Sequence, residues 1–258
     1  MSANKIEGYV RPPITEAVIG VTFADTIDNK TLATVSKQFA RHYPAHQAVK
    51  GVEFHFDLTE SDGKKPEAVA RQSEVHGHKH STLDMSEIVL ALPTSLVVSQ
   101  LSPYPSWDVF FKRFLRDWRI WKRSVKHRVI KRIGVRYINR IDIPVTGPIV
   151  EHELYLSVYP KVPELLSPLN AFAVQTISGF DDIMCRLTLN SALVESPVLH
   201  HRSVSLDLDI AREFEVPQKD KDIFELLESM RVKKNLVFES CITERARTEL
   251  FRGVLHVK

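Results

Sequence analysis

Three arginines, Arg132, Arg136 and Arg140, recur at every fourth position of the segment "RIGVRYINRIDIP". Side chains alternate between the two faces of a β-strand, so residues four apart share a face and lie about 13 Å from each other. Guanidinium groups hold phosphate oxygens through paired hydrogen bonds, and a row of them suits the backbone of a nucleic acid. The spacing therefore predicts a basic row that binds a nucleic acid or another phosphate-bearing ligand.

A predicted helix directly before this strand carries a second group of cations. Ser106 is a candidate N-cap, and Trp107, Phe110, Phe114 and Trp118 follow it at helical spacing. All three tryptophans of the chain fall on this apolar stripe, so we expect them in the core rather than stacked on bases. The opposite side of the helix carries the cations that we add to the candidate binding surface: Lys112, Arg116, Arg119, Arg123 and Lys126.

A structural interpretation of these cations stays open beside the binding interpretation. A charged helix face can be solvated without binding anything. In the segment "SVSLDLDIA", Asp207 and Asp209 share one face, and a strand formed by this segment could lie beside the arginine strand. Arg136 and Arg140 would then pair with these two carboxylates, with Glu16 as a third acidic candidate.

The two aspartates also support an alternative function. On one strand face, Asp207 and Asp209 would lie about 6.6 Å apart. Such a pair can bind Mg²⁺ for phosphoryl or nucleotidyl transfer. Enzymes of this kind usually add a glycine-rich phosphate loop, and the chain contains neither GxxxxGK[ST] nor GxGxxG. A metal-dependent enzyme acting on nucleotides or nucleic acid is therefore the alternative, and no cofactor is predicted.

The segment "HGHKH" raises the possibility of zinc. On a strand, His76, His78 and His80 would point the same way, as zinc ligands must. A zinc site needs a further donor, and the nearest ones, His55 and Asp57, belong to another predicted strand. We therefore favour a polar strand face and assign no metal site.

Asn139 is the one polar residue on the apolar face of the arginine strand, between Tyr137 and Ile141. A buried amide must find hydrogen-bond partners, so Asn139 either fixes a neighbouring backbone or contacts a ligand. We include it among the candidate binding residues. Cys185 and Cys241 lie in apolar segments and are expected to be small core residues.

Length and composition are typical of a globular protein, with 258 residues of which 43% are apolar. Two cysteines cannot form a disulfide framework, and the chain has neither a signal sequence nor a run of about 18 apolar residues. These features predict a reduced, soluble, cytoplasmic protein that does not bind membranes. Residues 112–136 contain eleven Lys or Arg and one acid, so this region carries +10 and the rest −7, within a formal total of +3.

The predicted elements indicate an α+β fold in the first half of the chain. Residues 59–73 are predicted to form a surface loop. Periodicity predicts helices at 30–42 and from Ser106 onward, and strands at 12–23, 51–58, 74–83, 86–92, 94–101 and 130–143.

The second half repeats this order after the helix and strand breaker "PVTGPIVE" at 144–151. It contains a short helix at 151–159, strands at 170–178, 182–191 and 202–211, and a long helix that starts near 219 and extends toward 251. Asp220 or Asp222 is the expected cap of that helix. We interpret the chain as two lobes, 1–147 and 148–258, each an antiparallel sheet packed against a long helix, and the repeated order suggests a structural duplication.

Three segments carry a resemblance to a known family. They are "PPITEA" at 12–17, "RIGVRYINRI" at 132–141 and "FESCIT" at 238–243. They resemble the motifs PPI.EA, R.G.RY.NRI and F...IT of a sporadically distributed family of uncharacterised bacterial proteins of about this length. The resemblance covers most of the chain. It implies no reaction and no catalytic residue, and the patchy distribution of the family implies accessory genes, linked to defence or toxins.

Taken together, the sequence predicts a non-catalytic binding or interaction protein. It would present the arginine row and the helix cations to a phosphate-bearing ligand, such as a nucleic acid, or to an acidic protein partner. The resemblance adds the expectation that it acts in an accessory or defence-linked system.

Overall fold

The structure is a computed structural model, and it describes residues 9–56, 68–145, 152–166 and 169–251. Nine strands are numbered along the chain: β1 (Ile14–Phe23), β2 (Ala45–Phe56), β3 (Ala68–Ser81), β4 (Glu87–Leu92), β5 (Ser95–Leu101), β6 (Ile130–Pro144), β7 (Ala173–Phe180), β8 (Cys185–Val194) and β9 (His201–Arg212). They form one sheet in the order β2-β3-β4-β5-β1-β6-β9-β8-β7. All neighbouring strands in it are antiparallel.

Three helices pack on this sheet: α1 (Asn29–Phe39), α2 (Trp107–Val125) and α3 (Asp220–Cys241). Single 3-10 turns occur at His152–Leu154, Glu164–Leu166 and Asp181–Ile183, and a π-helical turn at Ala246–Leu250. Helix α1 lies beside α2, and α3 packs against β6 and β9. Within the described ranges, no helix is long and apolar enough to cross a membrane.

The strands follow the period of two in their sequences, which gives the sheet two different faces. Ala17 and Ile19 of β1 and Val135 of β6 are fully buried on the face that carries the helices, called the helix face below. The opposite face, called the outer face, carries the arginine row of β6. The strands predicted at 12–23 and 130–143 are therefore confirmed, with the predicted sides inward.

Helix α2 is also confirmed with its predicted cap and apolar stripe. The Ser106 hydroxyl accepts a hydrogen bond from the Val109 amide at 3.3 Å, which satisfies one free donor of the first turn. Trp118 and Trp121 are buried, and the Trp121 ring stacks on Phe23 of β1 with 5.3 Å between ring centres. The tryptophans belong to the core, as the sequence predicts.

Several local predictions are wrong. The helix predicted at 151–159 is only the 3-10 turn His152–Leu154, and the long helix predicted to extend toward 251 ends at Cys241. Residues 68–73, expected in a surface loop, belong to β3, and the rest of that loop prediction, from 59 to 67, lies outside the described residues. In α3 the N-cap is Lys219, and Asp220 is the first helical residue. The Asp220 carboxylate instead accepts hydrogen bonds from the Trp118 indole and the Lys122 ammonium of α2, at 3.1 and 2.7 Å. A contact between two helices thus replaces the expected cap.

The mixed α+β class is confirmed, but the two halves share one sheet. β1 and β6 are neighbours at its centre, and they pair over most of the length of β1. The two-lobe duplication is therefore not confirmed. β6 ends at Pro144, the first residue of the predicted breaker, and the proposed boundary at 147 lies outside the described residues.

Candidate functional site

The arginine row of β6 lies on the outer face and is paired with acids of the same sheet. Arg136 donates two hydrogen bonds to the Asp207 carboxylate of β9, both at 2.8 Å. Arg132 donates to both oxygens of Asp209, at 2.9 and 3.1 Å, and to Glu213 at 3.2 Å. The hydrogen bond with Asp207 raises the pKa of Arg136 above its usual range, with smaller effects from Asp209 and Glu16.

Arg140 has a different partner from the one that the sequence predicts. Arg140 lies opposite Ser205, not opposite an acid, and its guanidinium bonds Asp142 of its own strand at 3.0 Å. The Asp142 carboxylate also accepts a hydrogen bond from the Ser203 hydroxyl at 2.5 Å. The predicted pairing with Asp207 and Asp209 is thus confirmed for Arg136, which binds Asp207. It is wrong for Arg140, because Asp209 binds Arg132 instead. All three arginines are neutralised by nearby carboxylates.

The same ion pairs occupy the carboxylates on which the metal-dependent alternative depends. Asp207 binds Arg136 and also accepts the Asn190 amide at 3.3 Å, while Asp209 binds Arg132. Among the described residues, no group of three or more His, Cys, Asp or Glu is arranged to hold a metal ion. That alternative stays a prediction, and it requires both aspartates to exchange their arginines for a cation.

The cations of α2 fall into two classes. Arg116 is half-buried, and it donates to Asp117 at 2.9 Å and to the Tyr43 hydroxyl at 2.7 Å. Asp117 is fully buried, so Arg116 stabilises the packing of α2 against the end of α1. The remaining four candidates are exposed and form no ion pair within the described part of the chain: Lys112, Arg119, Arg123 and Lys126.

Helix α1 and the turn that follows it add three cations that sequence spacing does not assign to the site. Lys30, Lys37 and Arg41 are exposed and have no ion-pair partner in the described ranges. A helix turns about 100° per residue, so Lys30 and Lys37 point away from the buried residues of α1, as the α2 cations do from the Trp stripe. Because α1 lies beside α2, we group the seven cations as one surface, called the basic helix face below.

A histidine cluster connects β2 and β3 with α1. His46 of β2 lies 3.0 Å from His78, measured between Nε2 and Nδ1, and 4.6 Å from His80 between ring centres. His80 is buried, and its Nε2 lies 2.8 Å from the Ser36 hydroxyl of α1. Burial lowers the pKa of His80 to about 4, with further effects from the other two imidazoles. Sequence spacing does not identify His46, because only the register of β2 with β3 brings it to the cluster. The predicted His76 is exposed.

Asn139 is buried on the helix face, where its amide donates to the Leu206 carbonyl of β9 at 3.0 Å. It therefore fixes a neighbouring backbone, one of its two predicted roles. It also lines a cavity of about 480 Å³ between the start of α2, the middle of α3 and the helix face. All three segments of the family resemblance contribute to this cavity, through Pro12 and Ile14, Tyr137 and Asn139, and Phe238.

Lys234 of α3 also lines this cavity, and no local sequence pattern singles it out. Only 8% of the residue is exposed. Its ammonium lies 4.0 Å from the centre of the Tyr137 ring and forms no hydrogen bond or ion pair within the described residues. Burial lowers the pKa of Lys234 to about 7, and the positive charge of Arg231 lowers it further. An unpaired, deeply buried amine in a cavity is a feature of functional sites.

Comparison with known proteins adds no assignment. No protein-family model matches the chain, and no curated protein matches it.

The histidine cluster generates a prediction on pH. The folded-state pKa of His80, about 4, lies below the usual value of 6.5, so the unfolded chain binds a proton more readily. The free energy of unfolding should therefore fall as the pH decreases from about 6.5 to about 4. His80→Gln should reduce this fall between pH 6.5 and 5, measured by urea denaturation, whereas His127→Gln at an exposed position should not. Equal slopes in all three proteins would refute the assignment.

The ion pair between Arg136 and Asp207 generates a second prediction. Asp207→Asn should lower the free energy of unfolding by about 1–3 kcal/mol, because the nearly buried Asp207 loses its charge-assisted pair with the half-exposed Arg136. Asp182→Asn, which breaks an exposed pair with Lys233, should cost less than about 1 kcal/mol. Thermal unfolding with and without Mg²⁺ separates this role from metal binding. A Mg²⁺-dependent rise in Tm that Asp207→Asn abolishes would favour the metal-dependent alternative.

Proposed function

We propose that this protein is a non-catalytic binding protein that contacts a phosphate-bearing ligand or an acidic partner through the basic helix face. One observation carries the proposal. The arginines of β6 are paired with Asp207, Asp209 and Asp142, whereas the seven cations of the basic helix face have no ion-pair partner among the described residues. Free cations can exchange their counterions for phosphates without first breaking an internal pair.

The shape of this surface suits an extended polyanion better than a small ligand. Lys112, Arg119 and Arg123 follow one another along the outer side of α2, and the neighbouring helix α1 and its following turn add Lys30, Lys37 and Arg41. Positions seven and eleven residues apart on a helix lie about 10 and 16 Å apart along its axis. This spacing allows several separate contacts along a nucleic-acid backbone or an acidic protein surface, and none of them requires catalysis.

The wider context of the proposal rests on the family resemblance. Membership of the sporadically distributed bacterial family, a cytoplasmic location and a role in an accessory or defence-linked system stay predictions that the three motifs support. The rival, a metal-dependent enzyme acting through Asp207 and Asp209, has no observation in its favour. A protein-interaction subunit would use the same basic surface with an acidic partner.

We also propose that the two halves of the chain are a structural duplication. In the first half, β5 returns to pair with β1 and is followed by the long helix α2. In the second half, β9 returns to pair with β6 and is followed by α3. This correspondence of element order supports a second unit that begins at β6, before the boundary predicted at 147.

The binding proposal is tested with fluorescent single-stranded and duplex DNA and RNA oligonucleotides in a salt series. We expect the affinity to fall steeply with salt, because each phosphate contact on a duplex adds nearly one unit to the slope of log K against log salt. Arg119→Gln combined with Arg123→Gln should weaken binding and reduce that slope by about two.

The matched control is Lys161→Gln combined with Arg202→Gln, which removes two exposed cations outside the basic helix face. This control should bind like the unchanged protein. If both double variants lose affinity equally, binding is a property of net charge and the proposal is wrong. If no oligonucleotide binds at about 50 mM salt, the nucleic-acid form is excluded, and acidic protein partners are tested with the same variants.

A further inference from the structure

Lys234 is a buried cation without a partner in the described structure. Its ammonium faces the Tyr137 ring at 4.0 Å, and no carboxylate lies within ion-pair distance of it among these residues. Removing a charge from water is costly unless another group replaces the lost hydration. The face of one aromatic ring replaces only part of it. The amine therefore lacks an anion, and the adjacent cavity provides the space for one.

Two of the three other charged groups that line the cavity, Arg231 and Glu239, are paired with neighbouring side chains, and the third, Asp108, is an exposed acid. Arg231 bonds Glu228, with its Nε at 2.8 Å from the carboxylate. Glu239 accepts the Tyr9 hydroxyl at 2.6 Å and the Arg247 guanidinium at 2.8 Å. Lys234 is thus the buried charge that remains available to a ligand. The titratable or charged groups that surround it come from every neighbouring element: Tyr9, Tyr104, Asp108, Tyr137, Glu228, Arg231, Glu239 and Arg247.

The walls of the cavity combine aromatic and other apolar side chains with polar ones. The hydroxyls of Tyr104 and Tyr137 lie 3.1 Å apart, so one donates a hydrogen bond to the other. Tyr9, Trp107 and Phe238 complete the aromatic part of the lining. A volume of about 480 Å³ is in the usual range for small-molecule sites. Aromatic side chains beside a buried, unpaired ammonium favour a ligand that has an apolar body and a single negative group.

We propose that this cavity binds a small organic anion, whose charged group pairs with the Lys234 ammonium and whose apolar body packs against Tyr137 and Trp107. This site is separate from the basic helix face, because none of the seven cations of that face lines the cavity. It therefore goes beyond the proposed function and does not depend on it.

The protonation of Lys234 couples ligand binding to pH. Its pKa of about 7 places the protonation of the free amine near neutral pH. An anion stabilises the charged form, so binding should take up protons and weaken as the pH rises. The neighbouring tyrosines do not contribute to this pH dependence, because burial raises the pKa of Tyr104 to about 12 and the pKa of Tyr137 well above its usual value.

The test uses 1-naphthoate and its uncharged analogue 1-naphthamide, titrated into the full chain by isothermal titration calorimetry. At pH 6.5 we expect 1-naphthoate to bind at least about tenfold more tightly than 1-naphthamide, which corresponds to one partly desolvated ion pair. Lys234→Met should abolish this preference while leaving the affinity for 1-naphthamide unchanged. 1-Naphthyl phosphate, titrated in parallel, shows whether a carboxylate or a phosphate is the preferred anion.

The matched control is Lys233→Met. Lys233 is the preceding residue, and it forms an ion pair with Asp182 at 2.6 Å outside the cavity. This variant should retain the preference for the anion, as should the variant that lacks the Arg119 and Arg123 charges. Loss of oligonucleotide binding in the latter, with 1-naphthoate binding intact, would separate the two sites experimentally.

A pH series on the unchanged protein keeps the proposal testable even if Lys234→Met does not fold. The affinity for 1-naphthoate should fall about tenfold from pH 6 to pH 8, as the protonated fraction of Lys234 decreases, while that for 1-naphthamide stays constant. If neither anion binds more tightly than the amide at pH 6.5, or if the preference is independent of pH, the proposal is wrong.

Discussion

The antiparallel pairing of β6 with β1 and β9 is the constraint on which both the paired arginine row and the cavity beside Lys234 depend. Because side chains alternate along a strand, β6 turns its arginines to the outer face and Tyr137 and Asn139 to the helix face. The register with β9 brings Asp207 and Asp209 within reach of those arginines. The same strand therefore closes an ion-pair network on one side of the sheet and forms part of a ligand-sized cavity on the other. A slip of one residue would exchange the two faces and bury the guanidinium groups without partners.

The cations of the protein differ in whether a carboxylate of the same chain neutralises them. Guanidinium groups on the sheet are held by carboxylates at hydrogen-bond distance, so an external phosphate would have to compete with an intramolecular partner. Cations on the outer sides of α1 and α2 project from helices whose acids are few and, in the case of Asp117, buried. Lys234 belongs to neither class, because α3 packs it into the interior beside Tyr137. Its burial costs stability that an ion pair inside the described residues does not restore.

Local periodicity predicts much of the fold but little of the site. The alternation in β1 and β6, and the aromatic stripe that starts after Ser106, identify elements whose buried sides the structure confirms. The segment "SVSLDLDIA" likewise allows the partner of Arg136 to be predicted. Contacts that depend on tertiary packing are not encoded in this way. The partner of Arg140, the cap of α3, the position of His46 and the burial of Lys234 all depend on which elements become neighbours, and a lysine next to another lysine on a polar helix gives no local signal.

The β6 arginines are held by internal acids, whereas Arg119 and Arg123 of α2 have no ion-pair partner in the described part of the chain. The most direct test is the rate at which phenylglyoxal modifies each arginine of the folded protein, followed by peptide mass spectrometry at low salt. We expect Arg119 and Arg123 to react several-fold faster than Arg132 and Arg136, because a guanidinium that donates to a carboxylate is less available to the reagent. Equal rates, or faster reaction at Arg132 and Arg136, would show that the internal carboxylates do not hold the β6 arginines. The outer face of the sheet would then be the better candidate for phosphate binding.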